Sequence, residues 1–203
     1  MSRTVILNGE PVELDLNAES ISDFIKGLYA SGLLNGEVLR SIRSNGEELL
    51  IKEHIADQPL PNGTIELESA PAQKVIVEVL NDARELGEEL VVELMNVVEA
   101  IRVHGPAEAS EPLKRSAELL LTLTGLFSSI DEFLDRWKLT QLGVGFTSFR
   151  MRLVDILADL LKAQEAQDWV AVADLIEYEL DPALSDLHDR INDTVSKIKG
   201  SIR

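Results

Sequence analysis

Near residue 70 the spacing of apolar side chains changes from every second residue to every third or fourth. A strand turns successive side chains to opposite faces, whereas an α-helix brings a face round every 3.6 residues. Such a change cannot occur inside one repeating architecture. It divides the chain into a sheet-bearing front, residues 1–70, and a helical rear, residues 71–203.

The front alternates strand and turn signals. Thr4-Val5-Ile6-Leu7 is β-rich, and Asn8-Gly9 is a hairpin turn pair. Val12-Glu13-Leu14-Asp15-Leu16 alternates as a half-buried strand does. Ser20 is placed to cap a short helix that carries Ile21, Phe24, Ile25 and Leu28 on one face, with Asp23 in its first turn and Gly32 as its stop. Further strands are predicted from Val38 to Arg43, from Glu48 to Ile51 beyond Asn45-Gly46, and from Thr64 to Glu68.

In the rear, Ile76, Val79, Ala83, Leu86, Leu90, Leu94, Val97 and Ile101 take seven steps over 25 residues, the α-helical period. Gly105-Pro106 stops that helix. A second stripe reads Leu113, Ala117, Leu120, Leu123, Phe127, Ile130, Leu134 and Trp137. A third starts at Thr147 or Ser148, both suited to capping, and shows Phe149, Leu153, Ile156 and Leu160. The fourth follows Asp168, a further cap, and runs Trp169, Val172, Ile176, Leu180, Ala183, Leu187, Ile191, Val195 and Ile198. Pro182 interrupts it. The stripe stays in phase, which favours a kinked helix over a new helix capped by Asp181. The predicted fold is therefore α+β: a small sheet domain, then an antiparallel bundle of about four helices. Val75, Val91, Val92 and Val98 widen the first stripe, and helices this long favour a homodimer.

The element order of the front (strand, strand, helix, strand, strand, loop, strand) resembles the β-grasp, the fold of ubiquitin and the small sulfur-carrier proteins. Carriers of that family end in a Gly-Gly tail that is adenylated. Here the matching stretch reads Glu68-Ser69-Ala70-Pro71 and continues into the chain. The resemblance thus implies a recognition or assembly module rather than a carrier.

Charge narrows the function classes. The 203-residue chain holds 36 acidic against 19 basic side chains, a formal charge of -17, and no cysteine. Thiolate chemistry and disulfides are excluded. A nucleic-acid partner is not expected, because phosphate binding draws on clustered Lys and Arg. No apolar run is long enough to span a membrane, and Met1-Ser2-Arg3-Thr4 lacks the apolar core of a signal peptide, so a cytoplasmic location is expected.

No strong catalytic signature is present. His54, His104 and His188 do not stand in Glu-x-x-His pairs, so no metal centre is expected. Ser185 and His188 are three apart on a helix, without the strained turn that a nucleophilic serine uses. Gly143-Val144-Gly145 lacks the rest of a phosphate-binding loop. No cofactor is expected. Asp174, Glu177, Tyr178 and Asp181 share adjoining helical faces and form one candidate polar patch. The main candidate site is aromatic. Five of nine aromatic residues fall between 127 and 149: Phe127, Phe133, Trp137, Phe146 and Phe149. Arg136, Lys138, Arg150 and Arg152 flank them. An aromatic floor with cationic edges suits an acidic-hydrophobic peptide or an anionic ligand. Three functions compete. The first is a non-catalytic interaction or assembly module, a bacterial-type cytoplasmic adaptor with a protein partner. The second is an acidic helical export or secretion chaperone. The third is a ligand carrier or enzyme with a pocket in the bundle, which requires carboxylates converging on a cavity.

Overall fold

The computed structural model describes residues 3–14, 18–49, 58–142 and 144–201. The ends of the second and fourth predicted strands (Asp15, Leu16, Leu50 and Ile51), together with His54 and Gly143, lie outside the described residues. The fold is α+β, with two compact units, Met1–Val75 and Ile76–Arg203.

The first unit holds a five-stranded mixed sheet: β1 Thr4–Leu7, β2 Glu10–Val12, β3 Val38–Ser44, β4 Glu47–Glu48 and β5 Thr64–Ala70, in the order β2-β1-β5-β3-β4. β1 and β5 are parallel, Val5 opposite Ile65 and Leu7 opposite Leu67; the other pairs are antiparallel. Asn8-Gly9 and Asn45-Gly46 both turn with positive φ at the two residues, the mirror-image turn whose twist matches a hairpin. Helix α1, Ile21–Ala30, starts at Ser20, whose Oγ accepts the Asp23 N–H at 3.1 Å. Its Ile21, Phe24 and Leu28 join Val5, Ile42, Ile65 and Leu67 in one core. Each such fully buried side chain contributes about 1.5–3 kcal/mol. Arg3 locks the surrounding loops by donating to the carbonyls of Ala18, Leu60 and Pro61 at 3.0–3.3 Å.

The second unit is helical and begins within α2, Ala72–Glu99; it continues as α3 Ser110–Arg136, α4 Thr147–Glu165, α5 Trp169–Leu175 and α6 Asp181–Ser201. Cross-helix pairs fix their directions. Glu88 of α2 faces His188, while Arg102, further along, faces Asp174, so α2 and the last rod run antiparallel. Ser148 meets Arg190 and Arg152 meets Asp186, which makes α4 and α6 antiparallel as well. α3 leaves α2 through a tight turn and returns along it, Arg115 reaching Glu93. The result is an up-and-down bundle of four rods around Leu90, Leu94, Leu123, Phe127, Leu153, Ile176, Leu180 and Leu187.

Two rods widen locally into π-helix. In α2 this is the last turn, Ala100–His104, where the Gly105 N–H reaches back five residues to the Ala100 carbonyl. Gly105 then stops the rod at φ 97°, ψ 162°, a region open only to glycine. In the last rod the π turn is Ile176–Leu180, with the Asp181 N–H bonded to the Ile176 carbonyl. It lies immediately before Pro182, the position where a kink is expected. A proline has no N–H and crowds the carbonyl four residues back; widening the preceding turn relieves the crowding and sets Pro182 in the first turn of α6, where it is tolerated.

Candidate functional site

The aromatic cluster packs into the end of the bundle where α3 meets α4. Phe127, Phe146 and Phe149 are buried; Phe127 lies 4.6 Å from Phe146 in a tilted pair and 5.7 Å from Phe149 edge to face. These rings satisfy one another's faces and edges. Phe133 and Trp137, 6.1 Å apart, are half-buried at the end of α3.

Two of the four cationic edges, Arg150 and Arg152, are engaged. Asp131 of α3 lies under the first turn of α4: its Oδ1 accepts the Phe146 N–H at 2.9 Å, and its Oδ2 accepts the Thr147 hydroxyl at 3.2 Å and Arg150 Nη1 at 3.4 Å. One carboxylate from the neighbouring helix therefore caps α4, the role expected of Thr147 or Ser148, and neutralises Arg150. A negative charge at a helix N-terminus is favourable because the first amide N–H groups lack partners within the helix. Arg152 is 2.8 Å from Asp186 of α6. Arg136 and Lys138 are exposed.

The same α3–α4 seam opens at its other end. Stepping back from Asp131 by three and four residues, helical spacing sets Ser128, Thr124, Leu121 and Ala117 along the same side of α3. From Arg150 the α3-facing side of α4 continues as Val154, Leu157 and Leu161 in the same way. Beyond these residues lies a cleft of about 300 Å³ walled by Leu113, Leu157 and Leu160, with Leu94, Leu120, Val172, Ile176 and Leu180 deeper in. No Asp, Glu, Lys, Arg or His lines it. Its interior polar group is Ser116, 2% exposed, whose hydroxyl has no hydrogen-bond partner among the described residues. The sequence stripe had placed Ala117 inside; Ala117 is exposed and Ser116 takes the inward position.

A second groove, about 320 Å³, lies between α2 and α6 over Ala83, Gly87, Val91, Leu184 and Leu187. His188 is half-buried on its rim with Nδ1 3.6 Å from Glu88. Ser185 is on the same rim. No described hydrogen bond joins Ser185 to His188, and both sit inside α6, where backbone N–H groups are spent on the helix and leave no oxyanion donors. His104 ends the π turn of α2, exposed.

The candidate polar patch divides. Asp174 and Glu177 clamp Arg102 at 3.0 and 2.6 Å, tying the π turn of α2 to the last rod. Partial desolvation lowers the Arg102 pKa, but the charges of Glu177 and Asp174 and a hydrogen bond with Tyr178 outweigh it and hold it above the usual arginine value. Tyr178 is exposed, and Asp181 lines the α2–α6 groove. Among the described residues no group of three or more His, Asp and Glu side chains has metal-holding geometry, and no helix is long and apolar enough to cross a membrane.

These features define an α+β protein with a small mixed sheet followed by an up-and-down helical bundle whose open seam and grooves are lined mainly by aliphatic side chains. The chain belongs to DUF8042, a family described as a domain of unknown function, which it matches over residues 78–190, more than half its length. No curated protein and no solved structure matches it.

Proposed function

We propose that the chain is a non-catalytic protein-interaction or assembly module, a cytoplasmic adaptor of bacterial type. The observation that carries this reading is the α3–α4 seam: its cleft is lined by Ala117, Leu157 and Leu161 with no ionisable side chain, and Leu121, Val154 and Leu161, which helical spacing sets on the same faces, are 76%, 60% and 55% exposed. Isolated exposed aliphatic side chains are ordinary, but a contiguous strip between two helices is a docking surface. The first unit adds a second recognition surface. Its element order and its parallel β1–β5 pair support a β-grasp-like head.

The chaperone reading draws on the same seam, since a client-binding chaperone needs an apolar groove between helices. The carrier or enzyme reading has less support: the α3–α4 cleft has no ionisable lining, and the α2–α6 groove offers Glu88 and His188 without a placed nucleophile. A homodimer through the long helices is a competing use of the exposed apolar strip.

Affinity purification of the intact chain from its native cells, followed by reconstitution with whatever co-purifies, tests the proposal. A polypeptide that rebuilds a stoichiometric complex with the purified chain supports it. A small molecule retained without any protein partner overturns it and favours the carrier.

A further inference from the structure

We infer that the α3–α4 seam receives the apolar face of a basic amphipathic helix from the partner polypeptide; the inference rests on the interaction reading and names the partner's chemistry. The floor of the site is aliphatic. Ala117 on α3 and Leu161 on α4 line it, and helical spacing sets the exposed Leu121 beside Ala117 and the exposed Val154 and Met151 further along the same side of α4. The polar groups in the strip make no demand on a ligand. The Thr124 and Ser128 hydroxyls donate to carbonyls one turn back in their own helix, at 2.7 and 3.2 Å. An occupant therefore gains by covering apolar surface and needs no matching donors. The open end admits larger side chains, because the leucine-walled cleft continues inward there. A helix laid in a groove, with anchors at every third and fourth residue, fits such a floor.

The rim decides the sign of the partner. Glu118 and Glu132 flank the strip on α3, and Asp155 and Glu165 flank it on α4. All four are exposed, and none is in an ion pair among the described residues. Of the nearby cations, Arg150 is held by Asp131 and Lys162 by Asp159, which leaves Lys114 and Arg136 on these flanks against the four carboxylates. A second copy docked through the same face would set these carboxylates against their own images, on a chain that already carries a charge of -17. A helix with Lys or Arg beside its apolar stripe meets them with opposite charge.

The test uses the full chain and two fluorescein-labelled 18-residue peptides with leucines at helical spacing, one with lysine and one with glutamate at every other position. At physiological salt, anisotropy is expected to show the lysine peptide binding at one per chain and the glutamate peptide at least tenfold more weakly. The double variant Leu121→Asn, Val154→Asn leaves the charge unchanged and is expected to bind the lysine peptide at least tenfold more weakly, with unaltered helical circular dichroism. Val92→Asn, a site 60% exposed on α2, is expected to change nothing. Equal binding of both peptides overturns the inference. So does several lysine peptides per chain unaffected by the seam variant, or a wild-type dimer that the seam variant dissociates. If the seam variant still rebuilds the native stoichiometric complex, the seam is the wrong surface and the interaction reading stands. If neither chain yields a polypeptide partner, that reading falls too.

Discussion

Replacing Ser116 by alanine should make the helical unit more stable. The Ser116 hydroxyl is buried among Leu113, Leu120 and Leu160 and has no hydrogen-bond partner among the described residues. A buried hydroxyl without a partner costs about 1–3 kcal/mol of lost hydration. Alanine removes that cost and has a helix propensity about 0.5 kcal/mol better than serine. The lost oxygen leaves a small void, which offsets part of the gain. A net stabilisation of about 1–2 kcal/mol follows. At about 2–4 °C per kcal/mol for a chain of this size, Tm should rise by about 2–8 °C. Urea unfolding followed at 222 nm gives the free energy, and thermal scans give Tm. Ser128→Ala is the control. That hydroxyl is bonded to the Thr124 carbonyl, so its loss and the propensity gain should nearly cancel. If Ser116→Ala is neutral or destabilising while the control behaves as stated, the hydroxyl is hydrogen-bonded in solution and the reasoning fails.

Three further changes probe other parts of the architecture. Asp131→Ala removes the cap of α4 and strands Arg150, and should cost about 2–3 kcal/mol in urea unfolding, with Asp131→Asn recovering roughly half by keeping one acceptor. Gly105→Ala puts no atom within 4 Å of a neighbour, yet its φ of 97° should cost about 2 kcal/mol from backbone strain alone, read as a lower Tm with unchanged helical content. Phe127→Ala takes the central ring out of the buried trio and should destabilise by about 3–5 kcal/mol in the same urea assay.

What was legible in the sequence was whatever depends on near neighbours in the chain. Turns set by Asn-Gly pairs, the Ser20 cap, the Gly105 stop and the four helical stripes all follow from residues a few positions apart, and each is present. Partners across the bundle were not legible. Asp131 caps α4 from 15 residues upstream, on another helix, and nothing local to Thr147 announces it. His188 stands among aspartates in sequence, yet the bundle turns it towards Glu88. The slip between Ser116 and Ala117 has a simpler origin. From Leu120 a helical face can step back three or four residues, and apolar character chose Ala117 where the packing uses Ser116. An unpaired buried hydroxyl is the kind of exception that pattern cannot supply.

That exception and the cap on α4 belong to one seam. Where Asp131 accepts the Phe146 N–H at the start of α4, the two helices are joined by three hydrogen bonds to one side chain and sealed beneath by Phe127, Phe146 and Phe149. Moving away from that clasp, helical spacing brings up Thr124, Leu121 and Ala117 on α3 and Val154, Leu157 and Leu161 on α4, and no hydrogen bond or ion pair is described between the two sets. Such a contact depends on volume alone. Volume is short at the far end, where alanine and serine occupy successive positions and a cleft of about 300 Å³ remains. Larger side chains at these positions would fill that space and are expected to stabilise the unit. Under the docking role proposed for this seam, small residues beside exposed leucine and valine leave an apolar floor open at the expense of packing.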